Sequence, residues 1–471
     1  MLAAPRNTNF FMVPVMPLLP LLPLVLLPLP SKPLRSSAVR YHGTRSEPIS
    51  FFEGIVGDPV TDLAADRDGL ELLRAAAAAA KDINEPPPRI STASLACQWT
   101  ETYIDDDGHV ELGSYMAMAD DKTRTPFFGA AIRRRLEGTS DKVVLDIGTG
   151  PFCLLALMAA GAGARRVFAV EANPVAAEQA RLTVASAEAE GYVRAGVIEV
   201  IEGYSTDVTL PEKVDLLVAE IVGDIASEEG LVATMRDAQA RHLLHPDDKG
   251  SYIPQRIQSV CAPASYVVPY CLRPPYSPFD FSAIRGDYPI RVSCEDNAVQ
   301  LLSEPQLLED FYFGVSPLPA AGGATTTRLD FDVDEECLAH AVATHTDALG
   351  AMLVGTPELS CTESEASGLV HRVSHSLACL AAWPRLVLDD GTTGGGEPIV
   401  VESRGAKAAG AEGDEDEEEV ESHWSTVLCL LSPQPLPVGG GDQVTLTYEA
   451  TFGDRVDLPT RDEMRGELRK E

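Results

Sequence analysis

Four short apolar runs, at 143–147, 166–171, about 197–201 and 214–219, alternate with stretches at about 151–161 and 174–189 that favour helix. No other feature constrains the fold as far. Strands that are apolar on both faces and separated by helices belong to a mostly parallel sheet covered on both sides. The first run turns through Asp146-Ile147-Gly148-Thr149-Gly150 into a helix. Ligands of such sheets bind at the carboxyl ends of the strands. Gly148 and Gly150 let the backbone turn sharply and approach a ligand closely. A diphosphate cofactor favours a third glycine three residues on; Cys153 stands there, which disfavours a dinucleotide. Glu171, ending the second run, is placed to accept hydrogen bonds from ribose hydroxyls. The reading is an α/β, Rossmann-like domain over 137–254.

Beyond Pro254 the pattern changes to β-prone runs at 257–261, 329–333, 368–388, 427–431 and 443–451, with turn-rich connections. That is the signature of a β-barrel or β-sandwich, expected over 255–456. The Gly/Ala/Glu-rich segment 391–421 has no apolar period and is expected to be a disordered loop within it. Residues 457–471 are expected to form a C-terminal tail, and 49–136 an N-terminal helical region. Residues 10–30 are apolar but rich in proline, which argues against a spanning helix. A basic, Ser-containing stretch follows at 31–40, so 1–48 is expected to be a removable signal or transit leader, with a plastid as one destination and cytoplasm or nucleus otherwise.

The net charge of −34 includes eight acids within 412–421. Such a field repels phosphate backbones, so no direct nucleic-acid partner is expected; basic polypeptides are attracted. Nine cysteines are scattered without a Cys-x-x-Cys pair, which argues against a metal site or a disulfide framework and for reduced thiols. His371 and His375 fall on an apparent barrel strand and are read as having no ligand role.

Glu220 and Glu229 lie nine residues apart, just past the fourth apolar run. Paired carboxylates suit acid–base work or the clamping of a planar cation. Guanidinium stays charged at any biological pH and offers a rigid fork of donors that carboxylates bind bidentately. A methyl donor site facing an anionic clamp is the combination these motifs suggest.

Taken together, the motifs resemble those of the protein arginine methyltransferases. Ser114-Tyr115-Met116-Ala117-Met118 with Arg124 resembles the family's N-terminal active-site helices, residues 143–150 its cofactor motif, Val170-Glu171 its ribose acid, and Tyr204-Ser205-Thr206 the turn over the adenine. Glu220 and Glu229 keep the spacing of its double-glutamate loop, and Ser422-His423-Trp424 resembles its threonine-histidine-tryptophan loop. The resemblance implies S-adenosylmethionine as cofactor, held by Arg124, Asp146, Gly148, Gly150, Glu171 and Thr206. It implies Glu220, Glu229 and His423 as catalytic residues, and Tyr115, Met118 and Trp424 lining the substrate pocket. It also implies Arg-rich protein substrates and a head-to-tail homodimer, with 276–284 as a candidate arm. Phe152 stands where the family has a third glycine, and the single module departs from the monomethylating branch, whose wording 114–118 and 205–209 approach. The second reading is a methyltransferase fold without turnover that binds arginine-rich segments; Phe152 favours it.

Overall fold

The computed structural model describes residues 115, 118, 119, 121, 124–266, 290–293, 298–346, 363–404 except 394, 424–429, 435–453, 455 and 460–471. All fall in the unit Thr44–Glu471; none falls in the unit Met1–Gly43. The expected leader, most of the expected N-terminal helical region, the candidate arm, the acidic run 412–421 and His423 lie outside the described residues.

The first layer follows from its apolar runs. Helix α1 (Thr125–Leu136) buries Phe128, Ala131, Ile132 and Leu136. There follow β1 (Val143–Ile147), α2 (Leu154–Gly161), β2 (Arg166–Glu171), α3 (Pro174–Ala189), β3 (Ile198–Glu202), β4 (Leu216–Ala219), α4 (Leu231–Arg241) and β5 (Tyr252–Ile253). The strands form one sheet in the order β3-β2-β1-β4-β5, every pairing parallel. β1 and β4 are buried along their whole length, as strands covered on both faces require. Strand order reverses direction between β1 and β4, so a crevice opens at their carboxyl ends. α3 starts where Pro174 follows Asn173, whose side chain caps the amides of Val175 and Ala176.

The second layer is antiparallel. It comprises β6 (Arg256–Tyr266), β7 (Ile290–Ser293), β8 (Val299–Leu301), β9 (Gln306–Tyr312), β10 (Ala324–Asp332), α5 (Glu335–His345), α6 (Glu363–Ser374), β11 (Ser376–Leu377), β12 (Cys379–Asp389), β13 (Ile399–Glu402), β14 (Ser425–Cys429), β15 (Leu436–Pro437), β16 (Gln443–Thr451) and β17 (Arg461–Arg469). A seven-stranded sheet is built around β6 and β12; a three-stranded sheet has the order β10-β16-β17. The fold is therefore a Rossmann-like α/β layer followed by a β-barrel-type layer. The asymmetric Arg135–Asp389 ion pair, with Asp389 fully buried, ties α1 to the end of β12. Among the described residues no helix is long and apolar enough to cross a membrane.

Three expectations need correction. The run 368–388 is not all strand: its first part belongs to α6, which buries Leu369, Val370 and Val373 on one face. His371 therefore lies on a helix, with its ring stacked at 3.8 Å on that of His375. The segment 391–421 is not all irregular, since β13 pairs with β12; its Ile-Val-Val core is too short to show a period amid glycines. The expected tail 457–471 contains β17, paired with β16 over nine residues. Asp462, Met464 and Gly466 point inward there, so alternation exists without an apolar signal to reveal it.

Candidate cofactor and guanidinium site

The turn between β1 and α2 is organised by local backbone bonds. Gly148 and Gly150 have φ of +74° and +65°. A Cβ on Gly148 would stand 2.8 Å from the Ile221 side chain, a contact no alanine could keep. The amides of Gly148 and Thr149 both donate to the Val170 carbonyl, at 2.9 and 3.2 Å, which locks the turn to β2. Glu171 is held by both oxygens: Oε2 accepts from the Gly150 amide and Oε1 from the Asn173 amide, each at 2.9 Å. Burial raises its pKa against the pull of these bonds.

Asp146 plays a different part from the one expected. It lies beneath the turn, accepting from Thr149 Oγ1 at 2.6 Å and the Ala156 amide at 3.0 Å, and burial pushes it up to about 7. Neither Asp146 nor Thr206 lines the cavity; Tyr204 and Ser205 do. Cys153 has φ of +51°, the left-handed conformation that favours glycine, so the helix begins only at 154.

The cavity holds ≈ 600 Å³, within the range of small-molecule sites, roughly 300–1,000 Å³. Tyr115, Met118, Arg124, Gly148, Gly150, Glu171, Glu220, Glu229 and Trp424 all line it. The structure thus brings together nine of the twelve residues singled out from the sequence, from positions about three hundred residues apart; Asp146 and Thr206 do not line the cavity and His423 lies outside the described residues. Phe152 lines it too, edge-on to Tyr115 with centroids 6.5 Å apart, without closing it.

The acidic half sits on the loop between β4 and α4. Arg124 is buried and its Nη2 pairs with Glu220 Oε2, while Nη1 donates to the Met118 carbonyl at 3.1 Å. Its Nε has no partner among the described residues. The arginine expected at the cofactor carboxylate is therefore engaged with one of the paired glutamates. Among the described residues neither a hydrogen bond nor an ion pair engages the Glu229 carboxylate. Burial, then the charges of Glu220, Glu228 and Asp224, push it up to about 8 against the opposing Arg124 charge.

The barrel holds this loop in place. Trp424 Nε1 donates to the Val222 carbonyl at 3.0 Å, and the Ser425 amide to Asp224 Oδ1 at 2.7 Å. Buried Glu309 accepts from Ser227 Oγ at 2.6 Å, Ser259 Oγ at 2.8 Å and Tyr448 OH at 2.9 Å. Thr460 Oγ1 donates to the Ser227 carbonyl at 2.9 Å. Sequence reasoning missed Asp224, Glu228, Arg291 and Glu309. The first two stood in view within the loop; no local pattern marks Arg291 or Glu309.

No family model matches the chain. It is 37% identical over 126 residues to protein arginine N-methyltransferase PRMT10 of Oryza sativa subsp. japonica, covering 27% of this chain and 31% of that protein. It is 32% identical over 196 residues to protein arginine N-methyltransferase 6 of Danio rerio, covering 41% and 52%. An arginine N(omega)-methyltransferase of Streptomyces achromogenes subsp. streptozoticus is 32% identical over 254 residues, covering 52% and 66%. The chain belongs to the protein arginine methyltransferase family. The matches span about a third to two thirds of these relatives' own lengths. The solved structure of Arabidopsis thaliana protein arginine methyltransferase 10 shares the fold, with a TM-score of 0.50 and 17% identity over 78% of this chain and 99% of that one. Family and fold thus agree with the two-layer architecture.

Proposed function

We propose that the chain transfers a methyl group from S-adenosylmethionine to a guanidino nitrogen of arginine in a protein. The observation that carries this reading is the Glu229 carboxylate, unengaged among the described residues and set beside Glu220 in the same cavity as the glycine turn and Glu171. The donor set fits the cofactor: side-chain-free backbone at Gly148 and Gly150, an acid at Glu171 for ribose hydroxyls, and the guanidinium of Arg124 for a carboxylate. When bound, S-adenosylmethionine supplies an electrophilic methyl group.

What the chain's own residues do is bind, orient and polarise. Glu229 and Glu220 grip the guanidinium and hold one nitrogen in line; positioning of this kind can remove roughly 7–11 kcal/mol of a barrier. Carboxylates on the far nitrogens draw positive charge away from the attacking one. Trp424 and Met118 wall the pocket and exclude water. Phe152 lines the cavity beside Tyr115, its ring edge-on to the tyrosine. In this reading 137–254 carries the donor site and the glutamate loop, 255–456 completes the acceptor side, His423 borders the substrate, and a homodimer is the working assembly.

The test is incubation of the full chain with labelled S-adenosylmethionine and an Arg/Gly-rich peptide, a Lys-substituted peptide and free L-arginine, beside Glu229→Gln. Label in the arginine peptide alone, lost in the variant, is the expected result. Free L-arginine is included because the Streptomyces relative is named for arginine rather than protein arginine. Cofactor binding without label in any acceptor would favour the binding protein instead.

A further inference from the structure

Arg291 projects from β7 of the barrel into the same cavity as Glu229 and Trp424. Its Nε pairs with Asp224 Oδ2 at 2.7 Å and its Nη2 with Glu228 Oε1 at 2.9 Å. It therefore grips two carboxylates of the acidic loop with separate arms of one planar fork, the geometry a bound arginine would use. The remaining capacity of those acids is largely spent. Asp224 Oδ1 accepts from the Ser425 amide at 2.7 Å, and Glu228 Oε2 from the Ile225 amide at 3.2 Å. On the loop between β4 and α4, four acids, Glu220, Asp224, Glu228 and Glu229, line the cavity, and two guanidiniums of the chain itself answer three of them. Glu229 is the remaining one.

From this arrangement, and resting on the arginine reading above, we infer that Arg291 determines acceptor specificity: it occupies the acid pair Asp224/Glu228, confines the incoming guanidinium to Glu229 and Glu220, and rejects a second cation beside the target arginine. The Arg291 side chain is 31% exposed, whereas Asp224 and Glu228 are 16% and 10%. The acids are thus less exposed than the cation that pairs with them. A neighbouring guanidinium on the substrate finds both acids already paired, so it would lose hydration there without gaining a carboxylate partner. A neutral neighbour meets no such barrier.

The experiment compares two peptides that differ at one position next to the target, arginine in one and its uncharged isostere citrulline in the other, with methylation at the target read by site-resolved mass spectrometry. The full chain is expected to favour the citrulline peptide. Arg291→Met should raise the kcat/KM ratio of arginine peptide to citrulline peptide by about tenfold, because Asp224 and Glu228 become available to the second guanidinium. Arg291→Lys, which keeps the cation, should stay near the original ratio. Arg291→Met/Glu228→Gln should return most of the gain. An unchanged ratio in Arg291→Met, or an equal rise in Arg291→Lys, would overturn the inference. Should Arg291→Met fail to fold, the decision rests on the full chain, where equal use of both peptides overturns it. Turnover of neither peptide by the full chain would instead sink the arginine reading, and this inference with it.

Discussion

The two halves of the cavity are built by opposite means. The glycine turn is held by bonds that reach no more than 22 residues, from Gly148 to Val170 and from Gly150 to Glu171. The acidic loop is held by partners 33 to 233 residues away, from Ser259 to Thr460. The glycine turn and its ribose acid need only one βαβ unit, although Arg124 comes from outside it. An acceptor site of the second kind exists only once the barrel has docked. Changes in the barrel should therefore damage acceptor chemistry while leaving donor binding intact.

The sharpest break between the halves is Glu229→Gln. It removes the unengaged carboxylate without disturbing any hydrogen bond among the described residues. Methyl transfer is expected to fall by about 10²–10³ in kcat/KM, the scale for loss of one preorganised electrostatic group. Affinity for S-adenosylhomocysteine, measured by calorimetry, should stay within about twofold, since Glu171 and the turn are untouched. An equal loss in both would mean that the halves are not separable.

Glu309→Ala tests the long-range support. It strips the acceptor from Ser227, Ser259 and Tyr448 in a buried setting, and orphaned buried donors cost about 1–3 kcal/mol each at most. Denaturant unfolding should show a loss of about 2–3 kcal/mol, with transfer reduced more than cofactor affinity. Glu309→Gln, which keeps one carbonyl oxygen, should lose less.

This division also explains what was legible in the chain. Gly148, Gly150 and Glu171 announce themselves because their spacing is the mechanism: turn, helix, strand end. Glu220 and Glu229 were visible as a pair on one loop. Glu309 was not, since it lies on β9 amid ordinary alternation and acquires its partners from three other segments. β17 was invisible for a related reason: its inward positions are Asp462, Met464 and Gly466, too polar to show the apolar period by which strands are recognised.

Burial raises acids in both halves, and in the acceptor half neighbouring charges add to it. Glu229 rises to about 8 through burial and the facing charges of Glu220, Glu228 and Asp224, with Arg124 opposing. A carboxyl protonated at neutral pH cannot fully grip a guanidinium, so kcat/KM should climb by about tenfold per pH unit below 8 and level off above it. Stability runs the other way. With the folded pKa above the unfolded value of 4.5, the native state binds more protons than the unfolded one between about 4.5 and 8, so stability falls as pH rises through that window. Glu229→Gln should flatten the rate profile and only reduce the slope of the stability profile, because burial also raises Asp146 and Glu228 to about 7 and Asp462 to about 8. A rate that is flat from pH 6 to 9 in the unaltered chain would mean that Glu229 keeps one charge state across that range.

The smallest effect lies in the donor half, at Cys153. Its φ of +51° marks the one described non-glycine residue in the left-handed region, and its side chain is fully buried. At an ordinary helix start, alanine would be more stable than glycine. Here an L side chain carries a left-handed penalty of roughly 1–2 kcal/mol that glycine escapes, whereas alanine and glycine both forfeit the buried sulfur. Cys153→Gly should therefore be more stable than Cys153→Ala by about 1 kcal/mol, as read by thermal unfolding. Methyl transfer should not distinguish the two variants, because Cys153 acts on the backbone of the turn and lines no part of the cavity. The reverse order of stability would mean that the turn relaxes once the sulfur is gone, and that the donor half is less rigidly local than its hydrogen bonds imply.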